Sequence, residues 1–156
     1  EKVSADSHQI CPRVLVVDDN EFCREFVASQ VREMLGGSNK CRVDGVGETA
    51  QQALSYLLEQ PEDAAYHLVL MDLSMPGGGD QLQDMAGIWV TRQYKLARPN
   101  SSTRFVCFSG MGRDNGVTRV CKDAGFSPPY TLGKPVDWDE MKFLLETLAP
   151  SPPLPF

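Results

Sequence analysis

Apolar residues gather in four short, nearly unbroken runs: Val14-Leu15-Val16-Val17, Leu68-Val69-Leu70-Met71, Phe105-Val106-Cys107-Phe108 and Tyr130-Thr131-Leu132-Gly133. Runs of this length without polar alternation predict strands buried on both faces. A more polar stretch, Cys41 to Val46, reads as a fifth strand, second in chain order. Between the strands the apolar positions recur at helical spacing. Asn20 is a candidate N-cap for a helix with the apolar face Phe22, Phe26, Val27, Val31, Met34 and Leu35, stopped at Gly36-Gly37. Ala50, Ala53, Leu54, Leu57 and Leu58 predict a second helix up to the break at Pro61, and Ile88, Trp89, Gln93 and Leu96 mark a third. Val117, Val120, Cys121 and Ala124 give a fourth, ended by Gly125, and the last runs from about Asp137 to Leu148. Five strands alternating with five helices predict a parallel sheet covered on both faces, joined by right-handed crossovers.

The chain has 156 residues, 42% of them hydrophobic, enough for one domain with a substantial core. The expected organisation is a leader or linker over residues 1–12, a domain over 13–148 and a Pro-rich tail over 149–156. A net charge of -6 would repel a phosphate backbone, and no stretch mixes basic with aromatic residues, so nucleic-acid binding is excluded. Five cysteines, odd in number and without a Cys-x-x-Cys pair, suit reduced thiols in a cytoplasmic setting. No apolar stretch approaches the roughly 18 residues of a membrane span, so this segment is expected to make no direct membrane contact. The start at Glu1 leaves open that it is cut from a larger, membrane-associated protein.

The ends of the strands carry the chemistry. Asp18 and Asp19 follow the first, Asp72 the third, Ser109 the fourth and Lys134 the fifth. In an open parallel sheet the ligand crevice lies at the carboxyl ends of the strands. Acidic groups gathered there repel one another unless a cation sits among them, which points to a divalent-metal site built for phosphoryl chemistry.

Taken in order, Asp18-Asp19-Asn20, Met71-Asp72-Leu73-Ser74-Met75-Pro76, Ser109 and Lys134-Pro135 resemble the motifs of response-regulator receiver domains, the phosphoacceptor modules of two-component signalling. The resemblance runs from about Arg13 to Leu148, and the opening Val-Asp-Asp-Asn is similar to receivers fused to hybrid histidine kinases. It implies a flavodoxin-like (βα)5 fold. It implies Asp72 as the nucleophile that takes a phosphoryl group from phosphohistidine. It also implies a Mg2+ ion held by Asp18, Asp19, Asp72 and the Ser74 carbonyl, with Lys134 and the Ser109 hydroxyl meeting the phosphoryl oxygens. The expected partner is a histidine kinase or a histidine phosphotransfer domain, met in part through Phe22, Phe26 and Val27, although most of that stripe is expected to be core. Such a domain catalyses its own phosphorylation and dephosphorylation.

The chain departs from the family in two places. Receivers place an aromatic residue three positions before the lysine, where this chain has Thr131, with Tyr130 one place earlier. Alternation along the strand would turn Tyr130 to the opposite face, so either the strand is irregular after Pro128-Pro129 or an aromatic switch is absent, and absence is expected. The loop after Pro76 is also longer, with Gly77-Gly78-Gly79-Asp80-Gln81-Leu82 read as a tolerated insertion. No Gly-Lys-Ser/Thr follows the glycines, which rules out a phosphate loop. His8 and His67 carry no acidic neighbour suited to a phosphodonor, so the donor must come from elsewhere. Two rivals remain: a haloacid dehalogenase-type phosphohydrolase, which would need an aspartate where Ser74 stands, and a receiver-like interaction module that is not phosphorylated.

Overall fold

The computed structural model describes residues 11–77, 85–110 and 115–148. Five parallel strands, β1 (Arg13–Val17), β2 (Arg42–Val46), β3 (Leu68–Met71), β4 (Arg104–Ser109) and β5 (Thr131–Gly133), form one sheet in the order β2-β1-β3-β4-β5. Five helices alternate with them: α1 (Glu21–Met34), α2 (Ala50–Glu59), α3 (Ala86–Ala97), α4 (Asn115–Asp123) and α5 (Trp138–Glu146). The strand order turns back between β1 and β3, the point at which a doubly wound sheet opens a crevice. Among the described residues no helix is long and apolar enough to cross a membrane.

Period-two alternation divides the strands between two cores. Val14, Val16, Leu68, Leu70, Val106, Phe108 and Leu132 face α1 and α5, where they meet Val27, Val31, Met141 and Leu144. Leu15, Val17, Val69, Met71, Phe105 and Cys107 face α2, α3 and α4, against Ala53, Leu57, Val90, Tyr94 and Cys121. Because both faces are covered, the central strands lack polar positions, as the unbroken apolar runs require.

The helix boundaries follow local chemistry. The Asn20 side chain accepts the Cys23 N–H at 2.9 Å, Thr49 caps α2 through the Gln52 N–H, and Asp137 caps α5. After α1 the chain turns through Gly36 and Gly37, both at positive φ, and the Gly37 N–H returns to the Arg32 carbonyl. Pro76 closes the described start of the β3–α3 loop by accepting the Ala50 N–H at 2.8 Å. The insertion from Gly78 to Leu82 lies outside the described residues, whereas Gly77 adopts a positive φ of 84°.

Three expectations need correction. The stripe on α1 is not mainly core: Phe22 is 81% and Phe26 49% exposed, and the buried face is Arg24, Val27, Ala28 and Val31. The fifth strand begins at Thr131 rather than Tyr130, which sits at φ 70° after a cis Pro128-Pro129 bond. Tyr130 also does not turn to the opposite face. It packs against the same core as Cys107 and Cys121, while Thr131 lies in register with Cys107 and is buried. The irregularity is therefore real, and the position three before Lys134 still holds a threonine.

Candidate functional site

Parallel pairing brings the carboxyl ends of β1 and β3 side by side, with Val17 in register with Met71, so the residues that follow emerge together. The main chain of this rim is pinned on several sides. The Asp72 N–H donates to the Val17 carbonyl at 2.9 Å, and the Asp18 N–H to the Val46 carbonyl at 3.1 Å. Two close approaches depend on glycine. A Cβ on Gly47, at φ 135°, would lie 2.8 Å from the Asp18 nitrogen, and a Cβ on Gly87 would run into the Asp72 carbonyl oxygen. The Gly87 N–H meanwhile reaches the Leu73 carbonyl at 2.9 Å, seating the start of α3 on the Asp72-Leu73 backbone.

On this frame Asp18, Asp19 and Asp72 converge, each offering one carboxylate oxygen, with these atoms all within 4.8 Å of one another. Asp18 and Asp72 are buried and Asp19 is exposed. Lys134 reaches over from the end of β5. Its Nζ lies 2.6 Å from Asp18 Oδ2 and 3.6 Å from Asp72 Oδ2, after which the Lys134-Pro135 bond is cis. The same ammonium sits 5.0 Å from the centre of the Phe108 ring, so an aromatic face supports it from below. Asp18 Oδ1 accepts the Asn20 N–H at 2.9 Å, fixing the carboxylate while Oδ2 meets the lysine.

The electrostatics follow from burial. Burial pushes the Asp72 carboxyl up to about 6; the Lys134 charge pulls it back, Asp18 raises it further, and the long 3.4 Å bond from the Ser74 N–H lowers it slightly. Burial acts to lower the Lys134 ammonium, but its hydrogen bond to Asp18 and the charges of Asp72 and Asp18 outweigh that and raise it above the ordinary lysine range. Cys23, on the first turn of α1, is held up at about 11 by burial and by a hydrogen bond with Asp18.

All the residues singled out in the sequence fall on this rim. Asp18, Asp19, Asp72 and Lys134 are in one cluster, Ser74 lies two residues beyond Asp72, and Ser109 is buried at the end of β4, in register with Gly133. His67 is structural: its Nδ1 accepts the Arg13 N–H at 3.0 Å, and burial lowers its basicity. His8 lies outside the described residues. Sequence reasoning missed Phe108, Cys23, Gly87 and Arg24. Only Arg24 left a trace, as a charge at the same helical spacing as Val27, Ala28 and Val31.

No protein-family model matches the chain, and no curated protein matches it in sequence. Solved structures do match. The chain is similar to a Vibrio cholerae chemotaxis protein, CheY4, with a TM-score of 0.67 and 16% identity over 89% of this chain and 99% of that one. The chain has the receiver-domain fold. A response regulator receiver protein from Burkholderia phymatum shares that fold at TM-score 0.62 and 23% identity, covering 92% of this chain and 99% of its own. The receiver domain of the Arabidopsis thaliana histidine kinase CKI1, crystallised with Mg2+ and BeF3-, matches at TM-score 0.66 and 20% identity, over 88% and 89% of the two chains.

Proposed function

We propose that this chain is a phosphoacceptor receiver domain that takes a phosphoryl group from a phosphohistidine onto Asp72. One observation carries the reading: three carboxylates from two adjacent strand ends converge within 4.8 Å, with the Lys134 ammonium bridging two of them. Carboxylates this close repel one another without a cation: burial first, and then the charges of Asp18 and Asp19, raise the Asp72 carboxyl against the pull of Lys134. The donor set suits Mg2+, which prefers hard oxygen ligands, and Asp19 is exposed, leaving its side chain free to adjust. Asp18, Asp19, Asp72 and the Ser74 carbonyl would hold the ion. When bound it would offset negative charge on nucleophile and phosphoryl oxygens.

The chain's own residues supply the rest. An Asp72 oxygen attacks phosphorus, the bond from phosphorus to the donor imidazole breaks, and an acyl phosphate forms. Lys134, already 3.6 Å from Asp72, meets the developing charge. The Ser109 hydroxyl, at the end of the adjacent strand, would donate to a phosphoryl oxygen and draw its loop toward Asp72. Both histidines are unsuited to donate, so the donor belongs to a histidine kinase or phosphotransfer domain. The exposed rings of Phe22 and Phe26, stacked at 6.5 Å with Trp138 edge-on to Phe26 at 6.2 Å, offer that partner an apolar surface just beyond Asp18-Asp19-Asn20. A receiver fused to a hybrid kinase, acting in the cytoplasm, fits this reading.

The test is labelling from a radiolabelled phosphodonor with and without Mg2+. Wild-type protein should give a label that requires Mg2+ and is released by hydroxylamine, and Asp72→Asn should give none. Label that persists in Asp72→Asn would refute the assignment.

A further inference from the structure

An arginine sits where α1 should be apolar. Arg24 is only 8% exposed and shares its buried face with Val27, Ala28 and Val31. Its Nη1 donates to the main-chain carbonyl of Asp18 at 2.9 Å, while its Nε is buried with no partner among the described residues. Space for the side chain comes from β2, where a Cβ on Gly45 would stand 2.8 Å from Arg24 Cγ. Core stability does not account for this arrangement, because a buried guanidinium with an unmet donor costs free energy that an aliphatic side chain would not.

We propose that Arg24 is a positioning residue for the cation pocket, clamping the Asp18 carbonyl so that the peptide between Asp18 and Asp19 holds both carboxylates toward Asp72. The inference rests on reading those three residues as a magnesium site. Four bonds converge on Asp18 besides the one to Lys134: its N–H to Val46, its Oδ1 from Asn20, its side chain with Cys23, and its carbonyl from Arg24. Only the last reaches in from a charged side chain, and it fixes the plane from which Asp19, the exposed ligand, departs. Partners one shell beyond a metal typically govern its affinity through this kind of orientation.

The sign of the effect separates positioning from simple charge. A cation behind the pocket repels Mg2+, so deleting the charge alone would tighten binding. Loss of the clamp would weaken it. Calorimetric titration of Mg2+ into the unphosphorylated full chain is expected to show Arg24→Met binding about 10-fold or more weakly than wild type, with Arg24→Lys recovering part of the loss. The thermal midpoint of Arg24→Met in EDTA should equal or exceed wild type, which a merely structural role would not allow. Tighter or unchanged Mg2+ binding in Arg24→Met overturns the proposal. Should that variant fail to fold, Gly45→Ala displaces the arginine without removing it, and unchanged affinity there is equally decisive. Asp19→Asn separates the two layers of the reading: if it binds Mg2+ like wild type, the metal site itself is wrong. If Asp19→Asn weakens binding and Arg24→Met does not, the site stands and the clamp falls.

Discussion

Asp72 and Lys134 are set against each other by burial, and their titration gives the site a measurable signature. In the unfolded chain an aspartate titrates near 3.9, whereas burial holds Asp72 at about 6, so the folded metal-free protein binds this proton more tightly. Its contribution to stability is therefore most favourable in acid and is lost as pH rises from about 4 through 6, by an amount on the order of 3 kcal/mol. Asp72→Asn should be more stable than wild type near pH 7 in EDTA, and the difference should shrink towards pH 4. Denaturant melts at both pH values check this. Lys134 depends on pH in the same direction but at higher pH: its raised ammonium supports the fold at neutral pH, and that support fades only as pH rises through the raised value. Because the ammonium already lies 2.6 Å from Asp18, it competes with any metal for the carboxylates. Lys134→Met should tighten Mg2+ binding several-fold yet slow phosphoryl acceptance by roughly 10²- to 10³-fold, the usual cost of removing one charge-stabilising donor. Slower metal-dependent labelling together with a lower Kd for Mg2+ would be the paired result.

The elements differ in how openly the sequence declared them. The apolar runs of β1, β3 and β4 marked themselves because both faces are buried, and the Asn20 cap of α1 was readable directly, whereas the Thr49 and Asp137 caps of α2 and α5 come from the structure. The strand-end residues were identifiable for the same reason: a polar group directly after an unbroken apolar run has one place to be. Contacts between segments far apart in sequence were not readable. Nothing local indicates that Phe108 lies under Lys134 or that Gly87 must pack on Asp72, and the helical spacing of Arg24 with Val27 and Val31 is the one local sign that it turns inward while Phe22 and Phe26 turn out. At β5 the alternation rule failed because the φ of 70° at Tyr130 rotates that residue out of the pleat. Gly87 gives the sharpest test of such a contact. The Asp72 carbonyl and the Leu73 Cα occupy the space of an added Cβ, so Gly87→Val must push α3 away from the nucleophile's backbone. Phosphoryl acceptance should fall at least 10-fold, and the protein should lose about 1 to 3 kcal/mol from overpacking. Unchanged labelling would mean that α3 does not govern how Asp72 is presented.

Among the described residues the Phe22 and Phe26 rings stand largely outside the two cores, and this makes docking separable from folding. Leu70 is fully buried in the central strand, so Leu70→Ala should cost about 2 to 5 kcal/mol and lower activity only by lowering the amount of folded protein. Phe22 is 81% exposed at the start of α1, next to the acidic rim, and its removal should change stability by no more than about 0.5 kcal/mol. If a histidine-bearing partner docks on the Phe22, Phe26 and Trp138 surface, Phe22→Ala should slow phosphotransfer from that partner by about 10-fold, a loss typical of one aromatic anchor. Phosphorylation by a small-molecule donor, which needs only the pocket of Asp72, should be untouched. The same variant assayed with both donors isolates the surface: an equal loss with each would place the effect in the pocket, and no loss with the protein donor would move docking elsewhere on the molecule.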